Sequence, residues 1–369
     1  MEENRLTRAR EMIRKADREM ADLFLKRMEV VREIAAYKRE RGLPILDAGQ
    51  EQTVIRRSQE WISAPEMQDL YVSFLRGVMD VSKTYQRRLM EGVRVAYSGV
   101  EGAFAHIAVR RIFPEAAPVS CLDFQSAYEA VERGECDLCV LPVENSYAGE
   151  VGQVTDLLFT GSLHVTGMYS IPVVQNLVGL PGSTPEQIRK VISHPQALSQ
   201  CAAYLRRKGF ETEQASNTAR AAQSVAQRGE PTLAAIAARE TAGLYGLSIL
   251  AEHINESNLN ETRFAVFSRA ENRELPAKAA GFLLMFTVHH TAGSLAGAVS
   301  VIGRHGFNMR VLRSRPMKDL PWNYYFFAEI EGDDRSEEGR GMLRELERHC
   351  AYLKVAGRFG PEVHLKETN

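Results

Sequence analysis

The chain has 369 residues, enough for two or three domains, and its 46 lysines and arginines balance 47 aspartates and glutamates. This balance excludes a global basic field for nucleic acid, so any recognition of anions must be local. The start lacks the apolar core of a signal peptide, and the longest apolar run, Gly281 to Val288, is too short to span a bilayer. Five cysteines, an odd number, suit a reducing compartment, so we expect a cytoplasmic protein.

The first 90 residues predict helices. From Arg5 to Arg41 there is no proline or glycine, so one uninterrupted helix of roughly 55 Å is expected at ~1.5 Å per residue. A break at 42–44 precedes a second helix at 48–62, for which Asp47 is a suitable N-cap, and a third at 65–90. A helix this long cannot bury its apolar face against two shorter ones, so pairing with a second copy is expected.

Two long cations, Arg27 and Lys38, lie on the apolar stripe of this first helix. An unpaired buried charge costs several kcal/mol, on the order given for imperfectly compensated ions. Two side chains that reach out to solvent are one explanation, and a pocket for an anionic ligand is the other. The rest of the stripe consists of Ile13, Ala16, Met20, Leu23, Val31 and Ile34.

From Gly92 to about Ala270 short apolar strands alternate with helices. This alternation predicts an α/β domain with largely parallel strands. About 175 residues is large for one sheet, so two lobes with a cleft are expected. The predicted strands lie near 93–97, 137–143, 163–169, 191–193, 233–236 and 263–267.

Polar residues cluster where these strands end, the usual place for ligands in such sheets. In one cluster Ser193 is the expected N-cap of a helix with Pro195 in its first turn, and the free N–H groups there suit a carboxylate. Ordinary capping explains each cluster taken singly. The clusters are Glu144-Asn145-Ser146, Ser193-His194-Pro195-Gln196, Asn217-Thr218 and Thr262-Arg263-Phe264.

A charged linker at 270–279 leads into the last block. Its pattern reads strand, helix, strand, strand, helix, strand, which predicts an α+β unit of ferredoxin-like type. The elements are expected at 281–289, 294–305, 307–314, 324–331, 337–349 and 351–359.

Metal or covalent chemistry has no support in the sequence. Cys136 and Cys139 form a C-x-x-C within a predicted buried strand, with no second ligand pair, so core cysteines are expected. No H-E-x-x-H spacing and no G-x-S-x-G elbow occurs. We therefore predict neither a metal site nor a covalent nucleophile.

Three segments resemble signatures of one enzyme family: Leu141-Pro142-Val143-Glu144-Asn145-Ser146, Ser193-His194-Pro195-Gln196-Ala197 and Asn260-Glu261-Thr262-Arg263-Phe264. Together with the blocks around them, they make the whole chain similar to the bifunctional chorismate mutase–prephenate dehydratases of phenylalanine biosynthesis. The resemblance implies a multidomain protein without cofactors. Residues 1–90 would be an all-α mutase domain in an intertwined dimer, or part of a larger homo-oligomer. Residues 92–270 would be a two-lobed, periplasmic-binding-protein-like dehydratase domain, and residues 280–360 an ACT regulatory domain.

The resemblance also implies which helical residues bind chorismate. The rearrangement of this dicarboxylate needs carboxylate clamps and donors at the ether oxygen, where negative charge grows. Lys38 and Gln86 would be those donors, Glu51 would act with Asp47 on the ring hydroxyl, and Arg10 would reach into the partner's pocket. The pocket would also contain Arg27 and Ser82. The family usually has an arginine where this chain has Gln50, so weaker mutase turnover or affinity is expected.

For dehydration of prephenate, the resemblance implies Thr262 as the donor to the departing hydroxyl. Arg263 would be the carboxylate partner and Phe264 would lie against the ring. A threonine hydroxyl is a poor acid, so hydrogen bonding rather than full proton transfer is expected. The other residues implied for this site are Glu144, Asn145, Ser146, Ser193, Gln196, Asn217 and Thr218.

In the C-terminal unit, the family binds phenylalanine through Gly-Ala-Leu-Val and Glu-Ser-Arg-Pro motifs. This chain has Gly293-Ser294-Leu295-Ala296 and Arg313-Ser314-Arg315-Pro316. Because Arg313 replaces an acid that would face the ammonium group of the effector, we expect weaker inhibition by phenylalanine. The same reasoning predicts that Arg313→Glu strengthens it.

Two alternative functions remain. A monofunctional prephenate or arogenate dehydratase could carry a purely dimerising helical domain, and Gln50 keeps this alternative open. A ligand-sensing binding protein could combine a two-lobed cleft with an ACT unit. The missing signal peptide, the lack of a DNA-reading helix and the cation-bearing helix argue against the second alternative.

Overall fold

A computed structural model describes residues 2–257, 259–272, 281–318 and 320–366. The chain forms two compact units, Met1–Arg94 and Val95–Asn369. Most of the predicted linker at 270–279 lies outside the described residues. Within them, no helix has the length and apolarity that a membrane span requires, and no three metal-ligating side chains are grouped together.

The first unit consists of helices α1 (Glu2–Arg41), α2 (Ala48–Gln59) and α3 (Pro65–Glu91). As predicted, α1 is uninterrupted, and its 40 residues span about 60 Å at ~1.5 Å per residue. Gly42 follows it with a φ of 62°, a conformation that favours glycine. The predicted N-cap of α2 is confirmed, because the Asp47 carboxylate accepts the Gln50 N–H at 2.9 Å.

Only part of the predicted stripe of α1 is buried within one chain. Val31 and Ala35 are buried, whereas Ile13, Leu23 and Ile34 are 61%, 64% and 41% exposed. The buried line therefore passes through Ala35 rather than Ile34. The N-terminal half of α1 presents large apolar side chains that nothing in its own unit covers.

The first lobe of the second unit is a sheet region of five strands in one row, with a short sixth strand at its side, and three helices. Its strands lie in the order β5-β11-β3-β1-β2, and β4 pairs with β3. The elements are β1 (Arg94–Ser98), α4 (Phe104–Ile112), β2 (Ala117–Cys121), α5 (Phe124–Glu132), β3 (Leu138–Asn145), β4 (Gly149–Glu150), α6 (Gly152–Thr160), β5 (His164–Pro172) and β11 (Glu261–Ser268).

The second lobe is a separate sheet with the order β10-β6-β9-β7-β8. The chain enters it after β5 and returns at β11, where the Val173 N–H donates to the Asn260 carbonyl at 2.7 Å. Its elements are β6 (Asn176–Gly179), β7 (Lys190–Ser193), α7 (Pro195–Gln200), α8 (Ala202–Lys208), β8 (Glu211–Gln214), α9 (Thr218–Arg228), β9 (Leu233–Ala237), α10 (Arg239–Leu244) and β10 (Ser248–Ala251).

Both sheets are mixed, which corrects the prediction of largely parallel strands. β7 is parallel to β8 and β9, but β6 runs antiparallel to β9 and β10. β11 is antiparallel to both β3 and β5, because it carries the chain back from the second lobe. The two lobes themselves agree with the prediction.

The C-terminal segment has the predicted element order, and its strands pair antiparallel in the order β13-β14-β12-β15. One face of this sheet packs on its two helices through Phe282, Leu284 and Phe286. The other face packs on the first lobe through Leu283 and Met285. The elements are β12 (Gly281–Val288), α11 (Ser294–Arg304), β13 (Asn308–Pro316), β14 (Tyr324–Glu331), α12 (Glu337–Leu346), β15 (Cys350–Phe359) and β16 (Val363–His364).

The C-terminal sheet is joined edge to edge with the first lobe. Gly357 of β15 pairs in parallel with Val165 of β5, and β16 pairs with the end of the same strand. A Cβ at Gly357 would lie 2.4 Å from the Val165 carbonyl oxygen and 2.6 Å from its amide nitrogen. Only glycine permits this close approach of two backbones.

We expect Gly357→Ala to lower the thermal unfolding midpoint of the protein, because the added methyl group forces β15 from β5 at an overpacking cost of about 1–3 kcal/mol. Differential scanning calorimetry measures this effect. Gly303→Ala is the matched control: this glycine lies exposed in α11, and a methyl group added there would have no atom within 4 Å, so the midpoint should hold or rise. Equal midpoints for both variants would contradict the close approach.

Two candidate active sites

In the helical unit, α1 and α3 bring several predicted pocket residues together. The Arg27 Nε donates to the Ser82 Oγ at 3.2 Å, and Gln86 lies one turn beyond Ser82 on the same face of α3. Ser82 and Gln86 are both buried. Within the described chain the side-chain oxygen of Gln86 has no hydrogen-bond partner. An unsatisfied buried amide is costly, so this position suits a hydrogen-bonding ligand.

Lys38 lies farther along the same helix, half-buried like Arg27. Its ammonium group donates to the Ile45 carbonyl at 2.6 Å, a partner in the α1–α2 connection that the sequence did not reveal. Neither Arg27 nor Lys38 forms an ion pair with any residue that the structure describes. Both positive charges are therefore available to an anionic ligand.

The acidic residues predicted for this pocket are already engaged within the chain. Asp47 caps α2, and the Glu51 Oε1 lies 3.1 Å from the Lys83 Nζ. Lys83 also contacts Asp80 at 2.9 Å. Its hydrogen bond to Asp80 outweighs burial and, with the hydrogen bond to Glu51, raises the pKa of the Lys83 ammonium. Lys83 is a charged neighbour of the pocket that sequence reasoning missed.

Arg10 and Gln50 do not join this cluster within one chain. Arg10 is exposed and lies 17 residues before Arg27, about 25 Å along the helix axis. Gln50 is exposed in the first turn of α2.

In the second unit, a cleft of about 410 Å³ opens between the two lobes. Six of the predicted residues line it: Asn145, Gln196, Asn217, Thr218, Thr262 and Phe264. No lysine or arginine is found among the described residues that line it. A dianionic ligand in this cleft would have to rely on neutral donors and helix N-termini.

Thr262 and Asn145 form a hydrogen-bonded pair in the cleft, opposite each other on β11 and β3. The Asn145 Oδ1 accepts the N–H groups of Tyr147 and Ala148 at 3.0 and 2.9 Å, which fixes the orientation of the amide. The Asn145 Nδ2 then donates to the Thr262 Oγ1 at 3.0 Å. Because this oxygen accepts from Asn145, the Thr262 proton is free to be donated to a ligand.

The Asn145 amide also begins a chain of hydrogen bonds through two residues that sequence reasoning missed. The Asn145 Nδ2 donates to the Asn260 Oδ1 at 2.9 Å, and the Asn260 Nδ2 donates to the Gln200 Oε1 at 3.1 Å. The Gln200 Nε2 is then left as a buried donor without a described partner, on a residue that lines the cleft. Gln200 stands one helical turn after Gln196, a spacing that could have identified it.

The N-terminus of α9 also faces the cleft. Asn217 is its N-cap, with its side-chain oxygen accepting the Arg220 N–H at 2.7 Å. Thr218 is the first residue of the helix and is buried. The positive end of the helix dipole and its free N–H groups favour an anion at this place.

Two predicted serines do not line the cleft. Ser193 is fully buried, and its hydroxyl donates to the Ile236 carbonyl at 2.8 Å. The N-cap of α7 is His194, whose Nδ1 accepts the Gln196 N–H at 3.2 Å, so the prediction of Ser193 as the cap is wrong. Ser146 is exposed and connects two backbones, accepting the Glu261 N–H and donating to the Leu259 carbonyl, each at 2.9 Å.

Arg263 and Glu144 also differ from the prediction, because both point away from the cleft. Side chains alternate along a strand, so Arg263 lies on the opposite face from Thr262, as Glu144 does from Asn145. The Arg263 guanidinium contacts Glu144 at 3.2 Å and both Glu329 and Glu362 at 3.0 Å. With three carboxylates already bound, it is not placed to hold a carboxylate of a ligand in the cleft.

The pKa of the Arg263 guanidinium is set by its carboxylate partners. Burial alone lowers the pKa of Arg263, but hydrogen bonds and attraction to Glu329 and Glu362 outweigh it and raise the pKa above its ordinary value. Burial likewise raises the pKa of Glu362, yet the Ser170 hydroxyl and Arg263 outweigh it and lower the pKa. Arg263 and Glu362 are therefore both charged near neutral pH.

In the C-terminal segment, the two predicted effector motifs lie at the same end of the sheet, on strands separated by β14. β12 and β13 both run antiparallel to β14, so their ends at Val288 and Pro316 lie on the same side. The segment Gly293, Ser294 and Leu295 follows β12 directly, and Gly293 adopts a φ of 84° before α11.

The second motif presents alternate faces of β13. Ser314 and Pro316 are exposed, whereas Arg313 and Arg315 turn toward the first lobe. Arg313 forms an ion pair with Glu144. The Arg315 Nε donates to the Asp156 carboxylate at 2.9 Å. The sequence-based expectation that Arg313 faces the effector beside Ser314 is therefore not supported.

Cys136 and Cys139 are buried in the core of the first lobe, as predicted. Burial raises the pKa of the Cys139 thiol well above its ordinary value. This cysteine is therefore a packed, protonated side chain near neutral pH.

Comparison with known families gives two matches along the chain. Residues 9–87 match the model for chorismate mutase type II, and residues 95–272 match the model for prephenate dehydratase. The first match covers nearly all of the helical unit and the second covers both lobes around the cleft.

Individual relatives agree with these matches. A bifunctional chorismate mutase/prephenate dehydratase of Neisseria gonorrhoeae is 32% identical over 316 residues, which cover 85% of this chain and 86% of the relative. An arogenate dehydratase/prephenate dehydratase of Arabidopsis thaliana is 33% identical over 72% of each chain. A prephenate dehydratase from Arthrobacter aurescens, solved in complex with L-Phe, is 25% identical with a TM-score of 0.67 and covers 73% of this chain and 90% of that one. The chain belongs to the family of bifunctional chorismate mutase/prephenate dehydratases.

Proposed function

We propose that the chain converts chorismate to prephenate in its helical unit and prephenate to phenylpyruvate in the cleft, two consecutive steps of phenylalanine biosynthesis. The observation that carries this proposal is the Asn145–Thr262 pair, which presents one hydroxyl donor to a cleft of suitable size. The cation-bearing site of the helical unit supports the first step.

In the mutase step, the bond from the ether oxygen to carbon breaks as a new carbon–carbon bond forms within one molecule. Negative charge grows on the ether oxygen, where Lys38 and Gln86 are the donors. Gln86 donates through its Nε2 once its amide has rotated by 180°. This rotation breaks no hydrogen bond of the amide oxygen, which has no partner within the described chain. Arg27, oriented by Ser82, binds a carboxylate. Asp47 and Glu51, at the start of α2, hold the ring hydroxyl.

A second copy of the chain completes this site. Arg10 is about 25 Å from Arg27 along the same helix, so it serves the pocket of a partner chain. The exposed apolar side chains of the N-terminal half of α1 support a homodimer or a larger homo-oligomer, since such a surface is unfavourable in water. They include Leu6, Met12, Ile13, Met20, Leu23 and Phe24.

The convergence of Arg27, Ser82 and Gln86 favours a binding site over the alternative of a purely dimerising helical domain. Gln50 lies at the entrance to α2, where the family usually carries an arginine, so weaker mutase turnover or affinity remains the expectation.

In the dehydratase step, the ring carboxylate leaves as carbon dioxide, and its bonding electrons make the ring aromatic as the bond to the hydroxyl breaks. The departing hydroxyl takes up one proton from solvent and is released as water. Thr262 donates a hydrogen bond to that hydroxyl while Asn145 holds the oxygen of Thr262. Phe264 packs against the ring. The Gln200 amide and the N-terminus of α9 receive the carboxylates in place of Arg263.

The C-terminal unit is an ACT regulatory domain with L-phenylalanine as its effector. Support comes from the two motif segments, which lie at the same end of its sheet, and from the related Arthrobacter enzyme, which was solved with L-Phe bound. Gly293, Ser294, Leu295, Ser314 and Pro316 are the residues that this edge offers to the effector.

Lys38→Ala should reduce the chorismate turnover number by about 10²–10³, the effect of losing one preorganised donor at a developing oxyanion. Prephenate dehydration should be unchanged in the same preparation. Lys26→Ala, an exposed lysine of the same helix, is the control and should retain both activities. Wild-type chorismate turnover by Lys38→Ala would refute the mutase site.

Thr262→Ala should abolish dehydration while prephenate still binds, because the carboxylate contacts remain and only the donor is lost. Thr262→Ser keeps the hydroxyl and should retain part of the activity. Calorimetric binding of prephenate together with stopped-flow rates of phenylpyruvate formation separates the two effects. A parallel loss of binding and turnover would argue against the donor role.

Asn145→Asp should reduce the dehydration rate at neutral pH by about 10² or more, since the carboxylate would accept the Thr262 proton that the substrate needs. It also places a negative charge in a cleft for a dianion. Steady-state kinetics measure the effect, and full activity of this variant would show that the amide does not orient Thr262.

A further inference from the structure

A balanced network of six charged side chains lies on the far side of the strand that carries Thr262. It consists of three arginines and three glutamates, all within 4 Å of an opposite charge. We call it the Arg263 network, and its members are Arg263, Arg310, Arg313, Glu144, Glu329 and Glu362.

The members come from separate parts of the second unit. Glu144 and Arg263 lie on β3 and β11 of the first lobe, beside the cleft residues Asn145 and Thr262. Arg310 and Arg313 lie on β13 and Glu329 on β14, in the proposed ACT domain. The network therefore crosses from that domain to the back of the reacting strands.

Burial makes the inner part of the network, Arg263 with Glu329 and Glu362, sensitive to the loss of a partner. The Glu329 and Glu362 side chains are 3% and 5% exposed, and Arg263 is 14% exposed. Removing one partner leaves an uncompensated charge in a poorly solvated place, so the remaining groups must move. Because Arg263 is itself a residue of β11, a new position of its guanidinium acts directly on the strand that carries Thr262.

Two short connections lead from the network to the donor. Arg263 immediately follows Thr262 on β11, so its guanidinium fixes the strand on one face while Thr262 projects from the other. Glu144 immediately precedes Asn145, which holds the Thr262 oxygen. Two residues of the C-terminal segment hold these groups: Arg313 binds Glu144, and Glu329 binds Arg263.

We infer that the Arg263 network positions Thr262 and that, through Arg313 and Glu329, the C-terminal unit sets the rate of dehydration without touching the substrate. Arg263, Arg313 and Glu329 are then positioning residues. This inference rests on the proposed dehydratase function of the cleft. It also explains why this chain has Arg313 where the family has an acid: a glutamate at this position would face Glu144, which has the same charge.

The test measures prephenate dehydration by the full-length variants Glu329→Gln and Arg313→Gln. We expect the turnover number to fall by about ten- to a hundredfold for Glu329→Gln, the scale on which a small misplacement by a distant change acts. A smaller fall in turnover number is expected for Arg313→Gln, because Glu144 still forms its ion pair with Arg263. Prephenate binding by calorimetry should stay within about threefold, which shows that the cleft is folded.

Two comparisons separate positioning from a general structural role. Arg313→Lys keeps the charge and should recover part of the lost turnover. The double variant Arg313→Gln/Glu144→Gln should be no slower than the slower single variant, because the two residues act as one pair. Arg304→Gln breaks an exposed ion pair with Glu345 in the same C-terminal unit and should leave dehydration unchanged.

Unchanged turnover in Glu329→Gln would overturn the inference, as would a loss of turnover and binding in equal measure. Additive effects in the double variant would also overturn it. If Thr262→Ala abolishes dehydration while Glu329→Gln does not slow it, the dehydratase function stands and only the network's role fails. If Thr262→Ala is fully active, the proposed function of the cleft fails instead.

Discussion

The two-residue period of strand β11 is the constraint on which the second unit depends. It places Thr262 and Phe264 on the cleft face and Arg263 between them on the opposite face. The cleft thereby obtains a hydroxyl donor with no cation beside it, while the cation joins the C-terminal sheet to the first lobe. A strand buried on both faces serves chemistry on one side and assembly on the other.

The described residues of the cleft include no lysine or arginine, so the site must bind its substrate through neutral donors. Its donors are amides, hydroxyls and helix N-termini. The Asn145 and Asn217 side chains are held in place because their oxygens accept backbone N–H groups. The one carboxylate among the described lining residues, that of Glu150, lies 3.8 Å from the Arg315 guanidinium. The helical unit uses the opposite arrangement, with Arg27 and Lys38 as cations on one long helix.

Much of this could be predicted from the sequence, for identifiable reasons. The missing glycine and proline predicted α1. The three signature segments contain four of the predicted cleft residues, Asn145, Gln196, Thr262 and Phe264, and the helix start at Asn217-Thr218 supplied the other two. Ser193 could not be placed in the same way, because whether a serine after a strand caps a helix or bonds to a neighbouring strand depends on Ile236, 43 residues away. Strands β6 and β10, of four residues each, were not predicted. The partners of Arg263 lie 66 to 119 residues away and leave no local signal.

The central claim is that one chain carries out two consecutive reactions at two separate sites. The most direct measurement follows the purified protein with chorismate as its only substrate, recording prephenate and phenylpyruvate over time. We predict that prephenate appears first and that phenylpyruvate follows as chorismate is consumed. Phenylpyruvate formed from added prephenate but never from chorismate would contradict the claim and leave a monofunctional dehydratase.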